Sequence, residues 1–129
     1  MATKVLDSWA LIAFFEDEPA ADAVEKLLAQ AAAEKHKLLL SVVNWGEIYY
    51  NTMREVSQEA AEQQARAIAA LPIDIVGVGD DLTLARQAVI FKATHKMSYA
   101  DFFAAALAKV KNSELKWADD LGKKERASA

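Results

Sequence analysis

Four acidic residues of this sequence stand at positions where metal chemistry would be possible: Asp7, Glu47, Asp101 and Asp119. Asp101 has the most unusual surroundings, because the seven residues after it, 102–108, have no polar side chain. A segment that is apolar on all sides is normally a buried helix. A carboxylate at the beginning of such a helix is unfavourable unless it is paired or binds a cation.

The surroundings of three of these acids favour a cation over an ion pair. No Lys or Arg adjoins Asp7, Glu47 or Asp101 in the sequence. If the three converge in the fold, each raises the pKa of the others unless a cation neutralises them. Carboxylate oxygens are ligands of hard cations, so such a cluster predicts a site for Mg²⁺ or Mn²⁺.

Each acid taken singly also has a structural interpretation. Ser, Thr, Asp and Asn side chains cap the beginnings of helices, and an acid three residues later completes a capping box. Acids at the surface can also lie in solvated turns. The motifs open to these interpretations are Asp7 before a helix at Ser8, Ser98-x-x-Asp101, the looser Asn44-x-x-Glu47, and the pair Asp119 and Asp120.

The elements that must position these acids alternate along the chain. Strands are predicted at 3–7, 37–43, 72–78 and 114–117, and helices at 8–16, 19–35, 44–55, 58–70, 80–95 and 98–111. Strands separated by helices predict an α/β fold of three layers, with a mainly parallel sheet of about four strands between helices. Ligands of such sheets bind outside the carboxyl ends of the strands. At least three of the four acids lie near these ends.

Composition sets limits on the class of protein. The 129 residues are 53% hydrophobic, which is enough for one compact domain, predicted over 1–122 with a short basic tail at 123–129. The absence of cysteine excludes disulfides and thiolate metal sites. The net charge of −4 does not itself indicate a nucleic-acid partner. With neither a signal peptide nor a membrane-length apolar run, we expect a cytoplasmic protein without a membrane partner.

The motifs around the acids resemble those of the PIN domain, and specifically the VapC-type toxin ribonucleases of toxin–antitoxin pairs. The stretch VLDSWALIAFF resembles the family's first strand and first acid, and LLLSVVNWGEIYY resembles its second motif. The stretch LPIDIVGVGDDLTLARQA resembles the family's middle strand and helix, and HKMSYADFFAAALA closely resembles its third motif. Together these stretches cover nearly the whole chain.

This resemblance implies a metal-dependent endoribonuclease that leaves a 5′-phosphate and a 3′-hydroxyl. The residues that it assigns to a Mg²⁺ or Mn²⁺ site are Asp7, Glu47, Asp101 and Asp119, with Ser8 as a hydrogen-bond donor to one of the carboxylates. The implied partners are an RNA substrate, transfer RNA among the candidates, a VapB-like antitoxin, and a second copy of the chain in a homodimer.

The fourth motif departs from the family pattern, and two other interpretations stay open. Trp117 replaces a small hydroxyl residue, Lys116 interrupts an apolar strand, and Asp120 competes with Asp119 for the fourth place. A PIN-like module that binds RNA or protein with weak or no nuclease activity is therefore the alternative. A receiver domain fits less well, because it needs a second acid where Ser8 stands.

Overall fold

A parallel β-sheet lies at the centre of the computed structural model, which describes residues 2–79, 82–94, 98–117 and 121. Its strands are β1 (Ala2–Leu6), β2 (His36–Ser41), β3 (Asp74–Val76) and β4 (Glu114–Lys116). They are arranged in the order β3-β2-β1-β4, and all three pairings are parallel. The predicted mainly parallel sheet of four strands is confirmed.

Six helices are described beside this sheet: α1 (Ser8–Phe15), α2 (Ala21–Ala32), α3 (Val42–Glu55), α4 (Gln58–Ala69), α5 (Thr83–Thr94) and α6 (Tyr99–Val110). Side chains alternate between the two faces of a strand. Leu6, Leu38 and Leu40 accordingly pack with α1 and α2 in one core. Val5 and Leu39 pack with α5 and α6 in a second core on the opposite face. Two cores separated by a sheet confirm the three-layer α/β/α architecture.

Helix α6 is the most deeply buried helix of the second core. Of the seven apolar residues that follow Asp101, only Ala105 is partly exposed. Full burial of a Phe side chain stabilises the fold by roughly 1.5–3 kcal/mol, and α6 buries both Phe102 and Phe103. Ala104 has no exposed surface, so a larger side chain there would cost about 1–3 kcal/mol through overpacking. The apolar sequence after Asp101 thus fixes the beginning of α6 firmly in the core.

The predicted boundary of the second strand was wrong. Residues 37–43 read as one apolar run, but the strand ends at Ser41 and α3 already begins at Val42. Ser41 is the reason, because its hydroxyl accepts a hydrogen bond from Asn44 N–H at 3.1 Å and caps the helix. The expected capping role of Asn44 is therefore wrong, and Asn44 lies inside the first turn.

Smaller differences concern the edge strands. Both β3 and β4 are three residues long, shorter than the predicted 72–78 and 114–117. Lys116 is tolerated in β4 because its Nζ pairs with the carboxylate of Glu114 on the same face of the strand. None of the described helices has the length and apolar character of a membrane span. The predicted basic tail at 123–129 lies outside the described residues.

Candidate active site

Asp7 follows β1 directly and caps α1. Its Oδ1 accepts a hydrogen bond from Ala10 N–H at 2.8 Å, and its own N–H donates to the carbonyl of Lys116 at 3.3 Å. Only 4% of its surface is exposed. The capping interpretation is confirmed, and it places this carboxylate at the carboxyl end of the strand that lies in the middle of the sheet.

Glu47 lies in the second turn of α3, one turn later than predicted, because the helix begins at Val42. Its Oε1 is buried, and no hydrogen-bond partner for it exists among the described residues. Burial of an anionic oxygen away from water is strongly unfavourable unless the oxygen gains a new partner. This carboxylate is therefore the place where a cation would stabilise the fold most directly.

Asp101 is half-buried and occupies the third position of α6. Its main-chain N–H donates to Ser98 Oγ at 3.2 Å, which is the first half of the predicted capping box. Helix α6 precedes β4, and β4 runs parallel to β1. A helix that connects to a parallel strand runs back along the sheet, so α6 begins at the carboxyl ends of the strands.

These placements bring Asp7, Glu47 and Asp101 to the same edge of the sheet, at the carboxyl ends of its strands. Helix α6 contacts both α3 and β1. Within the described ranges, however, no three carboxylate or histidine side chains lie close enough together to hold a metal ion. Asp119 and Asp120 lie outside those ranges. Asp7, Glu47 and Asp101 alone therefore do not make up a complete metal site.

Sequence reasoning missed the polar residues behind the acids. Ser8 was expected to donate to a carboxylate, but its hydroxyl donates to the main-chain carbonyl of Asn44 at 3.3 Å. The Asn44 amide in turn donates to Ser8 Oγ at 2.8 Å. The signal available in the sequence was Ser41-x-x-Asn44, the spacing of a helix cap at the end of an apolar run.

Cations and aromatic rings flank the acids. Lys92 Nζ lies 5.2 Å from the ring centroid of Tyr99, two residues before Asp101. Trp9, two residues after Asp7, is 45% exposed. His36 lies away from the acids, at the amino end of β2, where its Nε2 donates to the carbonyl of Leu27 at 3.0 Å. The edge that carries the acids thus offers contacts for an anionic, aromatic ligand.

The donor set determines which metal would fit. All the acids offer oxygen ligands, and cysteine is absent from the chain. Oxygen ligands select Mg²⁺ or Mn²⁺ over softer metals. The buried Oε1 of Glu47, for which the described part of the chain offers no hydrogen-bond partner, is an independent indication of a missing electrostatic partner. The residues at this edge therefore fit a hard divalent cation.

Comparisons with known proteins agree with this architecture. The structure of VapC20 of Mycobacterium tuberculosis, a toxin that cleaves the sarcin–ricin loop, is similar to this chain, with 19% sequence identity and a TM-score of 0.64. The match covers 85% of this chain and 84% of VapC20. VapBC2 of Rickettsia felis, bound to promoter DNA, is similar with 13% sequence identity and a TM-score of 0.63, and the match covers 88% of this chain and 85% of the other. A toxin–antitoxin complex of Klebsiella pneumoniae is similar with 18% sequence identity and a TM-score of 0.61, and the match covers 87% of this chain and 82% of the other.

The family match rests on the sequence itself. No curated protein matches the chain significantly. The model of the PIN domain, by contrast, matches residues 4–121, a range that contains all four predicted acids. Sheet order, the burial of α6 and the acids at the strand ends agree with that match, and the chain accordingly belongs to the PIN domain family.

Proposed function

We propose that this chain is a metal-dependent endoribonuclease and the toxin of a type II toxin–antitoxin pair. The observation that carries the proposal is the buried Oε1 of Glu47, which has no hydrogen-bond partner within the described ranges, at the sheet edge shared with Asp7 and Asp101. The PIN domain match and the similarity to structures of VapC toxins and toxin–antitoxin complexes support it.

The carboxylates Asp7, Glu47 and Asp101 would hold Mg²⁺ or Mn²⁺, with Asp119 as the fourth acid. When bound, such a cation supplies charge neutralisation for the anionic phosphodiester and a more acidic water as nucleophile. The chain itself orients Asp7 through its cap of α1. Lys92, in the last turn of α5, lies over the ring of Tyr99, the first residue of α6, and would contact a flanking phosphate. No side chain is needed as a covalent nucleophile.

The substrate in this proposal is RNA, with transfer RNA among the candidates, and a VapB-like antitoxin is the inhibitory partner. Two of the similar structures are described as VapBC bound to DNA, which supports an antitoxin for this chain as well. A homodimer belongs to the same proposal. Sedimentation of the purified chain should give twice the monomer mass of 14.1 kDa.

Calorimetry with Mn²⁺ tests the metal site. The matched variant is Asp7→Asn, because Asn caps a helix about as well as Asp and keeps the hydrogen bond to Ala10. We expect clear binding heat for the wild type and much less for Asp7→Asn, together with loss of RNA cleavage. Equal heats would contradict the assignment. RNA binding without cleavage by the wild type would instead favour the binding-module alternative.

A further inference from the structure

Buried polar side chains behind the acids form a network that the proposed function leaves unused. Ser8, Ser41 and Asn44 each have 0% of their surface exposed. The other buried polar residues in the described part of the chain are Asp7 and His36. Burial of hydroxyl and amide groups is unfavourable unless each finds a partner. Their concentration at this one place therefore indicates a specific role.

The hydrogen bonds of this network have assignable directions. The Asn44 Nδ2 amide donates to Ser8 Oγ at 2.8 Å, and Ser8 Oγ donates to the main-chain carbonyl of Asn44 at 3.3 Å. On the opposite side, Ser41 Oγ donates to Asn44 Oδ1 and accepts from Asn44 N–H at 3.1 Å. An amide has one donor end and one acceptor end. The two serines therefore fix the orientation of the Asn44 side chain.

Asn44 connects the two elements that carry the first two acids. Ser8 follows Asp7 and begins α1, although it is 36 residues away from Asn44 in the sequence. Asn44 precedes Glu47 by three residues, so the two lie on one face of α3. A change in the length of the Asn44–Ser8 contact would therefore shift α1 relative to α3, and Asp7 relative to Glu47.

We propose that Asn44 is a positioning residue, which sets the separation between the Asp7 and Glu47 carboxylates for a hard divalent cation. The proposal rests on the proposed function, because it assumes that these carboxylates bind the cation. Mg²⁺ accepts only a narrow range of ligand distances. Groups that orient ligands without touching the metal change its affinity by about 10- to 100-fold.

A purely structural network predicts something different. Loss of its hydrogen bonds would then lower stability, and Mn²⁺ affinity in the folded protein would not change. The two roles separate when both quantities are measured on the same variants. Asn44→Leu removes the amide at similar volume, and Ser8→Ala removes one hydroxyl. His36→Leu is the matched control, because it also loses a buried side-chain bond, at the amino end of β2.

The experiment combines thermal unfolding of the metal-free proteins with Mn²⁺ calorimetry. We expect all three variants to unfold at lower temperature than the wild type. Only Asn44→Leu and Ser8→Ala should bind Mn²⁺ more weakly, by about 10- to 100-fold. His36→Leu should bind Mn²⁺ with wild-type affinity. Ser8→Ala carries the test if Asn44→Leu does not fold.

The outcomes separate this inference from the proposed function. A wild type that binds no Mn²⁺ overturns both. A wild type that binds Mn²⁺, with Ser8→Ala or a folded Asn44→Leu of equal affinity, overturns the positioning role alone. An equal loss of affinity in His36→Leu also overturns it, because the effect would then follow from lower stability.

Discussion

Single carboxylates in this protein combine a structural role with a candidate chemical one. Asp7 caps α1 through Oδ1, and the N–H of Asp101 is bound by the Ser98 cap of α6. A carboxylate has two oxygens with about four lone-pair sites, so one hydrogen bond does not exhaust it. Capping also fixes the side chain at a helix N-terminus. The capping roles of these acids are therefore compatible with the proposed metal site.

Asp101 and its cap can be separated by mutation. Asp101→Asn should lower RNA cleavage by about 10²-fold or more, because a charge-stabilising group is lost. The free energy of unfolding of this variant should change by only about 0.3–1 kcal/mol, because a charge at the helix N-terminus is lost. Ser98→Ala is the control, and it should cost about 1 kcal/mol of stability yet keep cleavage. Cleavage by Asp101→Asn at the wild-type rate would show that Asp101 only stabilises α6.

Glu47 should link metal binding to stability. At a Mn²⁺ concentration a hundred times the dissociation constant, binding stabilises the wild type by about 2.7 kcal/mol. For a domain of this size that corresponds to a rise in melting temperature on the order of 10 °C. Glu47→Gln should melt no lower than the wild type without metal, because the buried Oε1 that it replaces has no hydrogen-bond partner among the described residues. If Mn²⁺ raised the melting temperature of Glu47→Gln as much as that of the wild type, the assignment of Glu47 as a metal ligand would be contradicted.

Helices α3 and α4 are joined by two side-chain hydrogen bonds. Tyr49 Oη donates to Glu62 Oε1 at 2.6 Å, and Thr52 Oγ1 donates to Gln64 Oε1 at 2.6 Å. The bond to Glu62 raises the pKa of the Tyr49 phenol. These contacts hold the helix that carries Glu47 against α4.

The raised pKa of Tyr49 predicts a pH dependence. A group with a raised pKa in the folded state contributes its stability fully below its unfolded pKa, about 10 for Tyr, and loses it as pH rises through the folded pKa. The wild type should therefore be more stable than Tyr49→Phe at pH 9, and this advantage should disappear at higher pH. Urea unfolding of both proteins at a series of pH values measures this difference in the free energy of unfolding.

Glu62→Gln provides the control for this dependence. It keeps an acceptor for Tyr49 but removes the carboxylate that raises the phenol pKa. Phenolate absorbance should then show one of the three tyrosines ionising at lower pH than in the wild type. Identical titration curves for the two proteins would mean that the hydrogen bond does not form in solution.

The fourth acid lies outside the described residues, so its assignment rests on its spacing in the sequence. Asp119 matches the family's fourth acid in its spacing from Asp101, so Asp119→Ala should strongly reduce cleavage and Asp120→Ala should be nearly silent. RNA cleavage assays of both variants compare them directly. The reverse pattern would move the register by one residue.

Much of the fold could be predicted, because hydrophobic periodicity is a local signal. The order of helices and strands and the burial of α6 follow directly from it. The end of β2 does not, since Val42 and Val43 extend an apolar run and only the Ser41 cap stops the strand. The role of Asn44 could not be predicted either, because its partner Ser8 lies 36 residues away. The four acids were singled out by their positions near the predicted strand ends, and the resemblance of their motifs then assigned them to one metal site.

At the scale of the whole molecule, toxicity should depend on the acids. Expression of the wild-type chain without its antitoxin should arrest the growth of a bacterial host, and Asp101→Asn at equal protein level should not. Co-expression of the product of a small upstream reading frame should restore growth. Arrest by both proteins would mean that the toxicity does not come from catalysis.

The position of β1 in the sheet has a consequence for synthesis on the ribosome. β1 is made long before its partner β4 (Glu114–Lys116), so Lys4 pairs with Glu114 only after residue 114 has been synthesised. At about 5–20 residues per second, that strand follows roughly 5–20 s later. Asp101 is likewise absent for most of this time. The nascent chain should therefore be unable to assemble the candidate site, or to complete its sheet, until β4 has been made.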